Sequence, residues 1–284
     1  MFDNNALNLH RQRATENYGS HSFLMQEIAK RLSQRIDDIS RKFPKTLCFC
    51  WQEEILYKAI NSHSSLGKIF SCSRSPTLKK INAVQFAADT ELVPLAPHSI
   101  DLAISLLGWH WINDLPGTFS QIRSALNPDG LLLGAMLGGE TLRELKSVFV
   151  EAETEMEAGI SPRVSSFVDV ETLGSLLQRA GFALPVVDVD TITVTYTDMF
   201  KLMLDIRGMG EGNCMNERRK SFTRRTTLFR ANELYRKYFS SDSERIYATF
   251  QILYFTAWTP HRSQPQPSRP GTGRYPLEKA LTGE

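Results

Sequence analysis

The chain has 284 residues, and its 33 lysines and arginines nearly balance its 31 aspartates and glutamates, so the formal net charge is +2. Hydrophobic residues make up 42% and charged residues 23%, an ordinary globular composition that excludes a disordered, collagen-like or disulfide-rich protein. The near-neutral charge also argues against a dedicated DNA-binding protein, which would carry a strongly basic face.

The N-terminus and the cysteines bear on location. The first residues lack the apolar core of a signal peptide, and no stretch approaches the ~20 apolar residues of a membrane span. The cysteines at 48, 50, 72 and 214 form no zinc-binding pattern, so we expect no metal and free thiols that behave as small apolar side chains. We therefore expect a cytoplasmic protein without a membrane span.

Helices and short apolar strands alternate along the first half of the chain. Apolar residues recur every four positions from Leu24 to Ile36 and predict a helix within 23–41. The predicted strands are 46–51, 68–70, 84–87, 100–107 and 131–137, and the predicted helices are 52–60, one that begins at Ser75-Pro76, and 115–126. The run from Asn127 to Gly130 predicts a turn. This alternation indicates a parallel α/β sheet.

The second half of the chain interrupts this alternation. Helices are predicted over 141–157 and 169–180, and alternating apolar residues over 187–196 predict a long edge strand or a hairpin. Residues 197–245 look helical, and 215–245 holds nine Arg/Lys against four Asp/Glu, which suits either an acidic partner or a solvated helix face. A strand follows over 249–258, and a proline-rich tail ends the chain.

These elements predict three parts. Residues 1–44 form an N-terminal helical segment, and residues 45–260 form the main α/β domain, with a helical insertion at 197–247. Residues 261–284 form a mobile C-terminal tail. In such a sheet, ligands bind beyond the carboxyl ends of the strands, so we expect the site in the loops that follow them.

Short motifs along nearly the whole chain resemble those of one protein family. The most specific combines His110-Trp111 with Asp114-Leu115-Pro116, and further matches lie at 11–14, 137–142, 179–182, 207–211, 248–251 and 258–260. Together they resemble class I S-adenosylmethionine-dependent methyltransferases, above all the mitochondrial complex I assembly factor 5 family and its alphaproteobacterial relatives. The resemblance implies a Rossmann-like, seven-stranded, mostly parallel sheet with a helical insertion before the last strand.

The resemblance also implies an activity and its partners. The cofactor would be S-adenosylmethionine. The substrate would be a protein, or a subunit of respiratory complex I, modified by methylation or by arginine hydroxylation. The resemblance assigns no catalytic residue, and we see no triad of metal ligands in the sequence.

Candidate site residues follow from the same resemblance. Asp89 would accept a hydrogen bond from the adenine amino group, and a carboxylate suits an exocyclic amine. The candidate cofactor-binding residues are Asp89, Thr90, Leu107 and Trp109, and the candidate substrate-side residues are His110, Trp111, Asp114, Arg207 and Glu211. Structural interpretations stay open: a turn cap for Asp89, core aromatics for the two tryptophans, a hydrogen-bonded structural histidine for His110, and an interhelical bend at 207–211.

Two cofactor elements of the family are missing. The first strand should be followed by an acid and G-x-G-x-G, but residues 47–54 contain no glycine and place Trp51 where only hydrogen is normally accommodated. The second strand should end in a carboxylate for the ribose hydroxyls, but residues 71–74 read Ser-Cys-Ser-Arg. A second hypothesis is therefore a non-catalytic assembly factor with this fold, and a third is a nucleic-acid methyltransferase that uses the basic stretch 215–245.

Overall fold

The structure is a computed structural model that describes residues 1–74, 81–157, 159–240 and 244–265. The helix predicted to begin at Ser75-Pro76 and most of the predicted mobile tail lie outside the described residues. The α-helices are α1 (Asn4–Ala14), α2 (Phe23–Asp37), α3 (Glu53–Ile60), α4 (Leu115–Ala125), α5 (Arg143–Met156), α6 (Val170–Arg179), α7 (Met199–Gly208) and α8 (Arg225–Phe239). Short 3-10 helices lie at Thr15–His21 and Trp109–Trp111.

The described strands form one seven-stranded sheet. They are β1 (Phe43–Phe49), β2 (Leu66–Ser73), β3 (Val84–Ala87), β4 (Ile100–Leu106), β5 (Leu126–Leu137), β6 (Ala183–Tyr196) and β7 (Ile246–Trp258), in the order β3-β2-β1-β4-β5-β7-β6. The first five strands in the chain are mutually parallel, whereas β7 pairs antiparallel with both β5 and β6. The predicted Rossmann-like sheet is confirmed, and α7 and α8 form the helical insertion before the last strand.

The strand order reverses direction at β1, which lies between β2 and β4. An open α/β sheet forms its ligand-binding crevice at such a point, because the loops on either side diverge to opposite faces. Strand β1 is buried from Thr46 to Phe49, and β4 is buried at every position except Asp101, which explains the apolar residues in both strands. The fold therefore places the crevice directly beyond Phe49 and Leu106.

The predicted starts of β1 and β5 are wrong, and β2, β6 and β7 extend beyond their predicted bounds. Strand β1 begins at Phe43, where it pairs with β2. Pro44 has no N–H to donate, but the ladder with β4 starts only at Thr46, so Pro44 removes no hydrogen bond from that ladder. The turn predicted at 127–130 lies inside β5, where it forms an irregularity with Asp129 at a φ of 60°. A side-chain hydrogen bond stabilises this irregularity: the Asn127 amide donates to the Asp101 carboxylate at 2.7 Å.

The cysteine prediction is confirmed, since all four thiols are buried and free. Burial raises the pKa of Cys50, Cys72 and Cys214 to about 12, so these thiols stay protonated at neutral pH. Among the described residues, no helix combines the length and the apolar composition that crossing a bilayer requires.

Candidate functional site

A large cleft lies at the carboxyl ends of β1, β2 and β4, and we call it the strand-end cleft. Its volume is about 1530 Å³. Its floor is made by residues that follow the strands: Cys50, Trp51, Gln52, Ser73, Arg74, Thr90, Gly108 and Trp109. Residues of α1, the first 3-10 helix and α2, including Arg11 and Tyr18, line its other side. The N-terminal segment therefore contributes directly to the cleft.

A second cleft of about 800 Å³ lies between the N-terminal segment and the insertion, and we call it the insertion cleft. Its walls come from α1, α5, α7 and the segments 162–167 and 206–213. Tyr18 and Trp111 line both clefts, so the two adjoin. This arrangement places two separate binding spaces side by side at one end of the sheet.

Glu211 is the centre of a buried polar cluster beside the insertion cleft. The Nε2 atom of His110 lies 2.8 Å from Glu211 Oε2, and the indole N–H of Trp111 donates to the same oxygen at 2.5 Å. The Arg11 guanidinium lies 3.6 Å from the other oxygen, Oε1. The structure thus brings together three of the predicted substrate-side residues from positions about a hundred residues apart.

The electrostatics of this cluster favour an ionised carboxylate. Burial by itself would raise the pKa of Glu211. The charge and hydrogen bond of His110, the charge of Arg11 and the hydrogen bond of Trp111 outweigh burial and hold the Glu211 pKa below its ordinary value. The side chain is 13% exposed, so a negative charge is presented to the cleft with little screening by solvent.

The sequence of this chain is similar to known proteins over most of its length. A family model described as a methyltransferase domain matches residues 18–185. The mitochondrial arginine-hydroxylase NDUFAF5 of Danio rerio is 39% identical over 257 residues, which cover 89% of this chain and 80% of that protein. The chain belongs to the methyltransferase-domain family, together with the NDUFAF5 proteins. The resemblance inferred from the sequence motifs is confirmed.

Other members of the methyltransferase-domain family carry different names. A malonyl-[acyl-carrier protein] O-methyltransferase of Gallionella capsiferriformans is 30% identical over 277 residues, which are 92% of each chain. The crystal structure of a candidate methyltransferase from Bacillus halodurans superposes with a TM-score of 0.54 at 12% identity, over 82% of this chain and 99% of that chain. At this low identity, the superposition shows the shared fold alone.

In this member of the family, the Asp89 carboxylate accepts hydrogen bonds from residues of the same chain. Its Oδ1 atom accepts from the Arg74 guanidinium at 2.6 Å and from the Glu91 backbone N–H at 2.9 Å. Burial raises the pKa of Asp89, but the Glu91 N–H and the Arg74 charge outweigh it and hold the pKa below its ordinary value. Thr90 lines the strand-end cleft. The two loops that the resemblance assigns to adenosine are therefore bridged by an ion pair.

The residues after β4 divide between core and cleft. Trp109 is 1% exposed and contacts the rings of Phe49, Phe119 and Phe255, and it also lines the strand-end cleft. Leu107 has a φ of 46° and lines the insertion cleft. Of these two candidate cofactor-binding residues, Trp109 lines the strand-end cleft and Leu107 lines the insertion cleft.

Asp114 and Arg207 lie apart from the Glu211 cluster. Asp114 caps the N-terminus of α4 by accepting from the Gly117 N–H at 2.9 Å. Arg207 is an exposed residue in the last turn of α7 and lines the insertion cleft. The site assignments carried over from the resemblance stay predictions.

Gly210 shapes the approach of the insertion to the N-terminal segment. Its φ of 73° allows the chain to turn from α7 to Glu211. A Cβ atom here would lie 3.2 Å from the Trp51 ring and 3.3 Å from the Arg11 Cα atom. The glycine motif at 207–211 thus permits both the turn and the close packing that brings Glu211 to Arg11.

The sequence analysis did not predict several of the side chains that line the two clefts. Arg11 belongs to a motif that supported the resemblance, yet nothing in the sequence placed it beside Glu211. Gln52 and Arg74 were noted only because glycine and a carboxylate are absent there. In the described part of the chain, no three His, Cys, Asp or Glu side chains come together as a metal site would require.

S-adenosylmethionine does not fit the strand-end cleft through the contacts that its family uses. The first loop presents Trp51 and Gln52 side chains where backbone amides would have to approach the cofactor. Strand β2 ends in Ser73 and Arg74, so an arginine stands where the ribose hydroxyls require an acceptor. Asp89 is already paired with Arg74.

Proposed function

We propose that this protein is a methyltransferase-fold enzyme that hydroxylates an arginine side chain of a protein substrate. The relatives that carry the name arginine-hydroxylase support the reaction class, at 39% identity over most of both chains. As the resemblance implies, the partner would be a subunit of respiratory complex I. The cytoplasmic location that the sequence predicts remains part of this proposal.

The observation that carries the proposal is the state of Glu211 Oε1. This atom is buried and accepts no hydrogen bond, because the Arg11 guanidinium lies 3.6 Å away, beyond hydrogen-bond distance, and Glu211 lines the insertion cleft. Ser165 Oγ, which lines the same cleft, is also buried and unpartnered. An ionised carboxylate oxygen in a cleft that also holds an unpartnered hydroxyl is suited to bind a guanidinium, since carboxylates accept the forked N–H donors of arginine.

The rim of the insertion cleft indicates what surrounds the target arginine. Arg13 and Arg207 line this cleft and are exposed to solvent. Positive side chains at the rim attract acidic groups and repel basic ones. We therefore infer a target arginine flanked by acidic residues, which these arginines bind while Glu211 holds the guanidinium.

Hydroxylation requires an oxidant and a reductant, which the binding residues do not supply. Hydroxylation replaces a hydrogen of the arginine side chain with a hydroxyl group. With dioxygen as oxidant, one oxygen atom enters the product, and the other leaves as water after taking two electrons from a reductant and two protons. In this proposal Glu211, positioned by His110 and Trp111, binds and orients the substrate. No step is assigned to S-adenosylmethionine.

The test is a comparison of arginine-containing peptides from complex I subunits by mass spectrometry. We expect peptides heavier by one oxygen atom in cells with the intact protein and not in cells that lack it. The variant Glu211→Gln should reduce the modified fraction about ten- to hundredfold, because a charged hydrogen-bond partner of the guanidinium is lost.

The matched control is Glu140→Gln, since Glu140 is an exposed carboxylate whose side chain pairs with Arg143. This variant should leave the modification unchanged. A mass increase of one methylene group would instead support methylation. Loss of complex I without any change of peptide mass would support the non-catalytic assembly factor.

A further inference from the structure

The unpartnered polar atoms of the strand-end cleft are all of one kind. Among the described residues that line it, six buried nitrogen atoms of five residues have no hydrogen-bond partner: Arg11 Nε and Nη2, Trp51 Nε1, Gln52 Nε2, Arg74 Nε and Trp109 Nε1. Within the same lining, no buried oxygen atom lacks a partner. The strand-end cleft therefore presents donors, whereas the insertion cleft presents the acceptors Glu211 Oε1 and Ser165 Oγ.

These donors are deeply buried. Gln52 is 7% exposed, Trp51 is 9% exposed and Trp109 is 1% exposed. Buried N–H groups in folded proteins are almost always paired with protein, water or ligand. A cleft that collects several unpaired donors is thus suited to a ligand that brings several acceptor oxygens.

The residues that line the cleft include more cations than anions, and two of the cations, Arg11 and Arg74, also pair with Glu211 and Asp89. Two arginines and two lysines line it against two glutamates: Arg11, Lys30, Lys58 and Arg74, with Glu16 and Glu54. S-adenosylmethionine carries a sulfonium and an ammonium group, so it brings two cationic groups to this lining and only one carboxylate. A phosphate group brings oxygen atoms that accept from guanidinium, amide and indole N–H groups together.

We propose that the strand-end cleft binds a phosphate-bearing nucleotide in place of S-adenosylmethionine. The position at the reversal of strand order is where doubly wound sheets bind nucleotides, and the volume of about 1530 Å³ accommodates one. An arginine follows the second strand, where a carboxylate that binds the ribose hydroxyls would otherwise stand. This replacement favours a ligand with a phosphate group over one with a free hydroxyl at this position. Gln52 and Trp51 donate further hydrogen bonds from the loop after β1.

The proposal is tested by isothermal titration of the full chain with ADP, NADPH, adenosine and S-adenosylmethionine. We expect ADP or NADPH to bind at least about tenfold more tightly than both adenosine and S-adenosylmethionine, because only these two probes carry phosphate. The same probe should raise the melting temperature at millimolar concentration. Equal binding of adenosine, tighter binding of S-adenosylmethionine, or no binding of either phosphate-bearing probe overturns the proposal.

Variants locate the contact. Gln52→Glu keeps the side-chain shape but replaces a donor with a carboxylate, and it should weaken the phosphate-bearing probe about tenfold or more. Gln178→Glu makes the same change at an exposed position of α6 and should leave the affinity unchanged. Unchanged affinity in Gln52→Glu would contradict the assigned contact.

A second pair keeps the test decisive if Gln52→Glu does not fold. Arg74→Gln should weaken the same probe about tenfold, whereas Arg143→Gln, at an exposed residue of α5, should not. This inference does not rest on the proposed arginine hydroxylation, since it concerns the other cleft. Glu211→Gln should reduce peptide modification about ten- to hundredfold without preventing nucleotide binding, so the two proposals fail separately.

Discussion

Glu211 shows how a buried charge is maintained in this protein. Its carboxylate is removed from water, which by itself favours the protonated form, yet three neighbours stabilise the ionised form. An ionised group in such a place stabilises the fold only while it keeps its charge, because protonation removes the attraction to Arg11 and His110. The stability of the protein should therefore depend on the protonation of this one carboxyl.

The sign of this dependence follows from the lowered pKa. The unfolded state takes up the proton near 4.5 and the folded state only at lower pH, so the contribution of Glu211 is complete above 4.5. It is lost as pH falls through the folded-state pKa below that value. We expect the difference in unfolding free energy between the parent and Glu211→Gln to be largest at neutral pH and to shrink at acidic pH.

Urea unfolding of both proteins at neutral pH and at several values below 4.5 measures this difference. Glu171→Gln serves as the control, because Glu171 is an exposed carboxylate in the first turn of α6. A difference that stays constant with pH would show that Glu211 does not change its charge in the folded protein.

At the scale of elements, Glu153 connects α5 to the segment between α5 and α6. It is completely buried and accepts from the Ser161 backbone N–H at 2.7 Å, from the Ser161 hydroxyl at 2.8 Å and from Arg163 Nε at 2.7 Å. Arg219 lies 3.8 Å away, on the irregular stretch before α8. A single carboxylate of α5 thus ties together chain segments that form one wall of the insertion cleft.

Glu153→Gln should destabilise the protein by about 3–5 kcal/mol, because it leaves the Arg163 charge buried without its partner. The expected result is a lower denaturation midpoint in urea and faster proteolysis between α5 and α8. Glu155→Gln is the matched control: Glu155 lies two residues away, faces solvent and pairs with Arg230, so this change should alter the denaturation midpoint little. Equal effects of the two changes would contradict the role assigned to Glu153.

At the scale of the whole molecule, an aromatic cluster links the central sheet to the cleft. Trp109 lies after β4, Phe119 on α4 and Phe255 on β7, and their ring centroids are 5.7–6.0 Å apart. Gly134 of β5 pairs with Phe255 in the ladder, and a methyl group at this position would overlap the Phe255 ring. Since interiors are close-packed, displacement of Phe255 passes on to Trp109 and so to the strand-end cleft.

Gly134→Ala should therefore lower the unfolding free energy by about 1–3 kcal/mol through overpacking. It should also shift the tryptophan fluorescence of the folded protein, since the surroundings of Trp109 change. Gly174→Ala is the control, because a methyl group there meets no atom within 4 Å and replaces a glycine within α6. An unchanged denaturation midpoint for Gly134→Ala would show that the sheet accommodates the methyl group.

The sequence by itself determined the order of strands and helices and, through its motifs, the family. Apolar runs of strand length such as 100–107 and helical periods such as that of α2 are local properties, so they are legible without any tertiary contact. Boundaries at Pro44 and at 127–130 were wrong because pairing with neighbouring strands decided them. The candidate residues His110, Trp111 and Glu211 were named from motifs, without knowledge that they meet.

Only the tertiary structure decided the two clefts. Glu211 lies about a hundred residues from His110 and two hundred from Arg11, and their meeting depends on how the insertion folds back over the N-terminal segment. The six unpaired donors come from α1 and from three separate strand ends, and no local sequence pattern predicts that their residues line one space. The carboxyl ends of parallel strands gather residues that are distant in the chain, which is why the character of each cleft emerges from the fold and not from any single segment.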